Sequence, residues 1–295
     1  MSIAGLTILG DRINPGFRST RTLYDNDDFE GLQALAIRQA QTGASELDVN
    51  PGDPTLTSPG FLAKLVRHLQ AAVDLPLCLD SPDPGLLEIA LGAYDPDKAR
   101  GRKPTINSIA ASRWGLREIL KICPCKVVVM ASERLIGGRV VRCTTGEAVH
   151  ASAREMVDAL KSENAGMTND DFFVDVSVCT LAADTDGLLR MALDAIRLIH
   201  GDADLQGVHI MGGLSNLPQH LPPKAVDGSD LKHQLECAFL SVAVPLGFDT
   251  VLGTPWRGYA LLPEDNFVLR QFREIIALRG YDALMSVMKL YDNAA

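Results

Sequence analysis

Apolar residues along this chain fall into short runs that end on polar residues, and each run precedes a stretch whose apolar positions recur at helical spacing. Eight runs read as strands: 6–10, 45–50, 76–80, 105–108, 126–130, 172–175, 207–211 and 250–253. Between them, helices are predicted over 28–42, 59–73, 84–91, 113–122, 146–162, 184–199 and 230–243, with an eighth opening near Glu264 and a terminal one over 281–291. Eight alternations of strand and helix predict a parallel sheet with right-handed crossovers, and this count closes into a (β/α)₈ TIM barrel. A doubly wound open sheet is the runner-up. Two interruptions stand out: 132–145 reads as an inserted hairpin around Gly137-Gly138, and 217–229 is a long stretch rich in Pro and Gly after the seventh strand. No repeat or low-complexity linker divides residues 1–295, so one α/β domain is expected.

In such a barrel the ligand site is built at the C-terminal ends of the strands. The strand ends of this chain are polar: Gly10-Asp11-Arg12-Ile13-Asn14, Asp48-Val49-Asn50, Leu79-Asp80-Ser81, Asn107-Ser108, Asp175, and Gly213-Leu214-Ser215-Asn216. Any one of these Asp or Asn residues serves as well as an N-cap for the next helix. Taken together they predict a pocket of carboxylates and carboxamides with few cations, suited to a neutral ligand rich in hydrogen-bond donors.

Composition narrows the chemistry. Apolar residues are 46% of the chain and charged residues 22%, the balance of an ordinary folded globule. The 37 acidic and 28 basic residues give a net charge of -9, which disfavours nucleic acid as a partner. No stretch approaches the roughly 20 apolar residues of a membrane span, and no basic leader precedes the first strand, so a cytoplasmic protein is expected. Six cysteines without a CxxC pair predict reduced structural thiols. The six histidines include no HExxH, so no metal site is expected. Gly213-Leu214-Ser215-Asn216-Leu217 lacks the second glycine of a nucleophile elbow, and no phosphate-cradling Gly-rich loop is present.

The strand-end motifs, in this order and spacing over nearly the whole chain, resemble the pterin-binding (β/α)₈ barrel family. That family includes dihydropteroate synthase, the folate module of cobalamin-dependent methionine synthase, and methyltetrahydrofolate:corrinoid protein methyltransferases. The resemblance is closest to the methyltransferases. It implies that Asp80, Asn107 and Asp175 hold the pterin ring, that Asn216 sits near N5 as the catalytic residue, and that Gln219 is a further polar contact in the same loop. Asp48, Asn50, Gly213 and Ser215, in the matching motifs, complete the expected pterin pocket. The family usually has Glu where this chain has Asp11. Tetrahydrofolate or 5-methyltetrahydrofolate is the implied substrate, cobalamin on a separate corrinoid protein is the implied partner cofactor, and a homodimer is the implied assembly. No Asp-x-His-x-x-Gly segment is present to carry a corrinoid on this chain. A dihydropteroate synthase-like enzyme and a non-catalytic folate-binding protein are the alternatives. The synthase carries a Ser-Arg-Pro-Gly-type loop after the second strand, where this chain has Asn50-Pro51-Gly52-Asp53.

Overall fold

A computed structural model describes residues 3–55 and 57–292. The chain order is β1 (Thr7–Ile13), α1 (Arg18–Asp25), α2 (Phe29–Gln41), β2 (Glu46–Val49), α3 (Pro59–Ala72), β3 (Leu77–Asp80), α4 (Pro84–Ala93), β4 (Thr105–Ala110) and β5 (Lys126–Met130). It continues through β6 (Glu133–Ile136), β7 (Arg139–Arg142), α5 (Gly146–Glu163), β8 (Phe172–Asp175), α6 (Leu188–His200), β9 (His209–Gly213), α7 (Leu231–Ala243), β10 (Thr250–Gly253), α8 (Phe267–Ile275) and α9 (Gly280–Met288). Eight strands pair in parallel as a closed barrel in the order β1-β10-β9-β8-β5-β4-β3-β2, the predicted TIM barrel. The remaining two, β6 and β7, form an antiparallel hairpin turning at Gly137 and Gly138. Both glycines adopt the positive φ (57° and 78°) that a tight hairpin turn requires.

The helices start where side chains can accept their free N–H groups. Asp28, Ser58, Asp83, Thr145, Asp230 and Asn266 cap α2, α3, α4, α5, α7 and α8 in this way. The helices pack their apolar faces around the barrel. Inside it, Leu9, Cys78, Val128, Phe173 and Met211 form a separate buried cluster, one residue from each of five strands. Side chains alternate in and out along a strand, so two residues beyond this layer Asp11, Asp80, Asp175 and Gly213 also face inward. Strand periodicity alone thus sets polar groups directly above an apolar floor.

Three expectations change. Helix 113–122 is absent: Ala111–Lys121 forms tight 3₁₀ turns with a break at Arg113 (φ -125°, ψ 31°). The Ser112 backbone N–H and hydroxyl both donate to Glu133 of the hairpin, which removes the first turn from an α-helical path. The seventh barrel strand is His209–Gly213 rather than 207–211. Gly207 takes φ +93° ahead of it, and a side chain at Gly212 would meet Val178 at 2.5 Å, so Gly212 serves close packing inside the strand rather than a turn. Finally, α1 was not anticipated.

Candidate functional site

At the strand ends the structure joins β2, β3 and β4 through amide–carboxylate bonds. Asp80 pairs in register with Asn107, and Asp48 with Cys78. The Asn107 amide donates to Asp48 Oδ1 (3.2 Å), and the Asn50 amide donates to Asp80 Oδ2 (2.7 Å). Asn50 is itself fixed because its Oδ1 accepts from Gly52 N (2.8 Å). Asp48 is 1% exposed and Asn107 9%. Burial, then repulsion from Asp80, holds Asp48 well above the usual carboxylate range. Burial also raises Asp80, opposed by the Asn50 bond and by the positive charge of Arg113. Two neighbouring buried carboxyls resist ionising together, so this arc retains a proton more readily than two isolated aspartates.

Asp175 ends β8, two strands beyond Asn107. Its carboxylate accepts from Ser177 N (2.6 Å), yet burial still pushes it up to about 6. No hydrogen bond joins it to the Asp48–Asp80 group among the described residues.

The loop after β9 brings together Gly213, Ser215, Asn216 and Gln219. Asn216 and Gln219 are exposed, and Gln219 Nε2 donates to Asn216 Oδ1 (3.0 Å). A side chain at Gly213 would stand 3.0 Å from Asn216 Nδ2. The Asn216 amide is therefore folded back over the strand end, with its oxygen engaged and its N–H groups free to face a ligand. Ser215 turns toward Asp11, whose carboxyl is raised by burial and moderated first by the Thr254 hydroxyl (2.9 Å to Oδ1).

The expectation of few cations fails on one side of this rim. Arg12, Arg38, Lys232 and Arg257 line a cavity of about 680 Å³ together with Ser215, Gln219 and Thr254. On the other arc, Arg113 donates to Ser108 Oγ (2.8 Å) and its charge reaches Asp80. These cations lie in unrelated elements, so no run in the sequence marks them. Among the described residues no group of three or more His, Cys, Asp or Glu is placed to hold a metal ion. No described helix is long and apolar enough to cross a membrane.

No family model matches the chain. Among curated proteins it is 23% identical over 253 residues, 85% of each chain, to the methylcorrinoid:tetrahydrofolate methyltransferase of Eubacterium limosum. Among solved structures it is similar to the dihydropteroate synthase of Xanthomonas albilineans with 4-aminobenzoic acid (TM-score 0.61, 18% identity, 94% of this chain and 96% of that one). The 7,8-dihydropteroate synthase of Vibrio fischeri is similar too (TM-score 0.58, 12% identity, 86% and 89%). At such identities these structures establish the shared barrel and leave the reaction to the site.

Proposed function

From a chain that resembles the pterin-binding (β/α)₈ barrel family in its strand-end motifs, its sequence relative and its fold, we propose a methyltransferase. It moves a methyl group between N5 of tetrahydrofolate and the cobalt of a separate corrinoid protein. The observation that carries this reading is the inward set of buried and half-buried polar groups on β2, β3, β4 and β8, with the Asn216 amide at the end of β9 held by Gln219 through its oxygen.

A pterin presents a 2-amino group and ring N–H groups, donors that must find acceptors when buried. Asp80 and Asp175 accept them, while Asn50 and Asn107 fix the carboxylates by donating to Asp80 and Asp48. With the ring so held, N5 faces the loop of Asn216. The N5–methyl bond breaks with its electron pair left on nitrogen, so the leaving amine needs a proton or a strong hydrogen bond there. Asn216 orients that position through its amide, with Gln219 gripping the amide oxygen and Gly213 leaving room for the fold-back. Reduced corrinoid supplies the nucleophile toward which the methyl group moves. The opposite direction uses the same contacts, delivering methyl to tetrahydrofolate. The corrinoid protein docks as a second chain, and the barrel itself is proposed to pair as a homodimer in the cytoplasm.

Calorimetric titration with 5-methyltetrahydrofolate after chelation tests the binding half, and absorbance-monitored methyl transfer to cob(I)alamin tests the chemistry. Binding that requires an added metal, or folate binding without transfer in either direction, would overturn the respective half. One observation favours a dihydropteroate synthase-like reaction instead, the arginines Arg12, Arg38 and Arg257, because that enzyme must bind pyrophosphate. Product formation from 4-aminobenzoate and a pterin pyrophosphate discriminates the two.

A further inference from the structure

We propose that the cavity beside the β9 and β10 ends receives the carboxylates of the folate's glutamate tail, and so selects folates that carry several glutamates. This inference rests on the folate reading above. The cavity, about 680 Å³, shares Ser215 and Gln219 with the loop of Asn216. In folates the tail leaves the pterin from C6, the atom next to N5. A ring whose N5 faces Asn216 therefore sends its tail toward the volume these residues border.

The walls of that volume are built for anions. Arg12, Arg38, Lys232 and Arg257 line it against Asp230 and Glu236, in a chain whose net charge is -9. Arg38 and Lys232 make no ion pair with any described residue, and Arg257 pairs only with Glu236 (3.2 Å). Burial, despite Arg257, pushes Glu236 up to about 8, so near neutral pH it cancels little of the positive charge. The arginines also repel one another: Arg257 and Arg38 both add to the lowering of Arg12, whose largest cause is burial. Among the described residues the buried Arg12 Nε has no hydrogen-bond partner. Gathering like charges and leaving buried polar atoms unmatched costs stability unless a ligand repays it.

The aromatic residues choose among anions. The Trp256 ring is approached by the guanidinium groups of Arg38 (3.9 Å) and Arg12 (5.7 Å), and Arg12 also stacks on Phe17 (3.8 Å). Stacking on Phe17 and Trp256 fixes the Arg12 and Arg38 guanidinium groups in a wall that carries aromatic rings among its cations. An aryl ring followed by spaced carboxylates fits such a wall better than a compact pyrophosphate does.

The test titrates the protein with three probes: 5-methyltetrahydrofolate bearing three glutamates, the same with one glutamate, and 5,6-dimethyltetrahydropterin, which has no tail. Several partly exposed charge pairs together predict roughly tenfold tighter binding of the triglutamate than of the tail-less pterin, a gap that shrinks in high salt. The double substitution Arg38→Gln with Lys232→Gln should close the gap and leave tail-less affinity unchanged; Arg257→Gln provides a second, independent variant. Equal affinity for all three probes in the parent overturns the tail subsite while the folate reading stands. Failure of every probe to bind overturns the folate reading itself. Inorganic pyrophosphate that binds through Arg38 and Arg257, without any effect of tail length, overturns the assignment in favour of a diphosphate.

Discussion

Two arcs of one barrel rim carry opposite electrostatics. At the ends of β2 and β3 the carboxyls of Asp48 and Asp80 each accept from a carboxamide, Asn107 on Asp48 and Asn50 on Asp80. Across the mouth, on β9, β10 and β1, four cations gather around one cavity with two acidic residues to oppose them. Both arcs arise from the same strand geometry. The difference lies in what each leaves unsatisfied: the first presents acceptors to donors of a flat ring, the second presents more positive charge than its two acidic residues can balance. A ligand that is donor-rich at one end and anionic at the other matches both, and each arc can be broken separately.

The largest effect is expected at the boundary between them. Asn216→Ala should lower the single-turnover methyl-transfer rate by about 10²-fold or more with folate affinity nearly kept, since its contact strengthens only as charge changes at N5. Gly213→Ala should reproduce part of that loss, because the new methyl crowds Asn216 Nδ2 at 3.0 Å. A stable Asn216→Ala protein that transfers methyl at the parent rate would remove this residue from the mechanism. On the neutral arc, Asp80→Ala leaves pterin donors and the Asn50 amide without their acceptor and should weaken folate binding by about 1–3 kcal/mol. Titration of the variant at constant pH measures it, and unchanged affinity would move the ring elsewhere.

A smaller, graded effect belongs to pH. Asp175 sits at about 6 in the free protein, against roughly 3.9 in an unfolded chain. Between those values the folded state holds the extra proton, so this group stabilises the empty protein on acidification, and that contribution is lost as pH rises through about 6. Folate affinity runs the other way. The ionised carboxylate is the acceptor, so binding should weaken up to roughly tenfold per unit below about 6, and Asp175→Asn should remove the dependence. A parent whose affinity is flat from pH 5 to 7.5 would exclude Asp175 as the acceptor.

How much of this was legible beforehand depends on distance along the chain. The positions of Asp80 and Asp175 were readable because each closes its own apolar strand, and period two then turns them inward. Their partners were not: the Asn107–Asp48 and Asn50–Asp80 bonds depend on register between strands, which hydrophobic pattern leaves open. The cations were further out of reach. Arg12 belongs to β1, Arg38 to α2, Lys232 to α7 and Arg257 to the turn after β10, and only closure of β10 onto β1 assembles them. Their one signal was positional, a basic residue at the end of the first strand and another just past the last. The missing helix after β4 likewise turned on a tertiary bond, Glu133 capturing Ser112.

The smallest expected effect isolates the barrel seam from the neutral arc. Thr254 donates to Asp11 Oδ1 at 2.9 Å in a site where Thr254 is 8% exposed and Asp11 4%, and Asp11 Oδ2 has no partner of its own. Thr254→Val keeps the shape and removes the single strong donor, so the burial that already raises Asp11 acts unopposed by it. The cost should be about 1 kcal/mol, a fall in Tm of roughly 1–2 °C for a chain of this size. Because the lost donor favoured the ionised form of Asp11, the loss should grow as rising pH ionises that carboxyl and fade in acid. Tail-less pterin affinity should not move, since Asp48, Asp80 and Asn107 lie on the other arc. Thermal melts of parent and Thr254→Val across pH, beside one pterin titration, decide it: a drop in pterin affinity comparable to Asp80→Ala would mean that the two arcs form one coupled site.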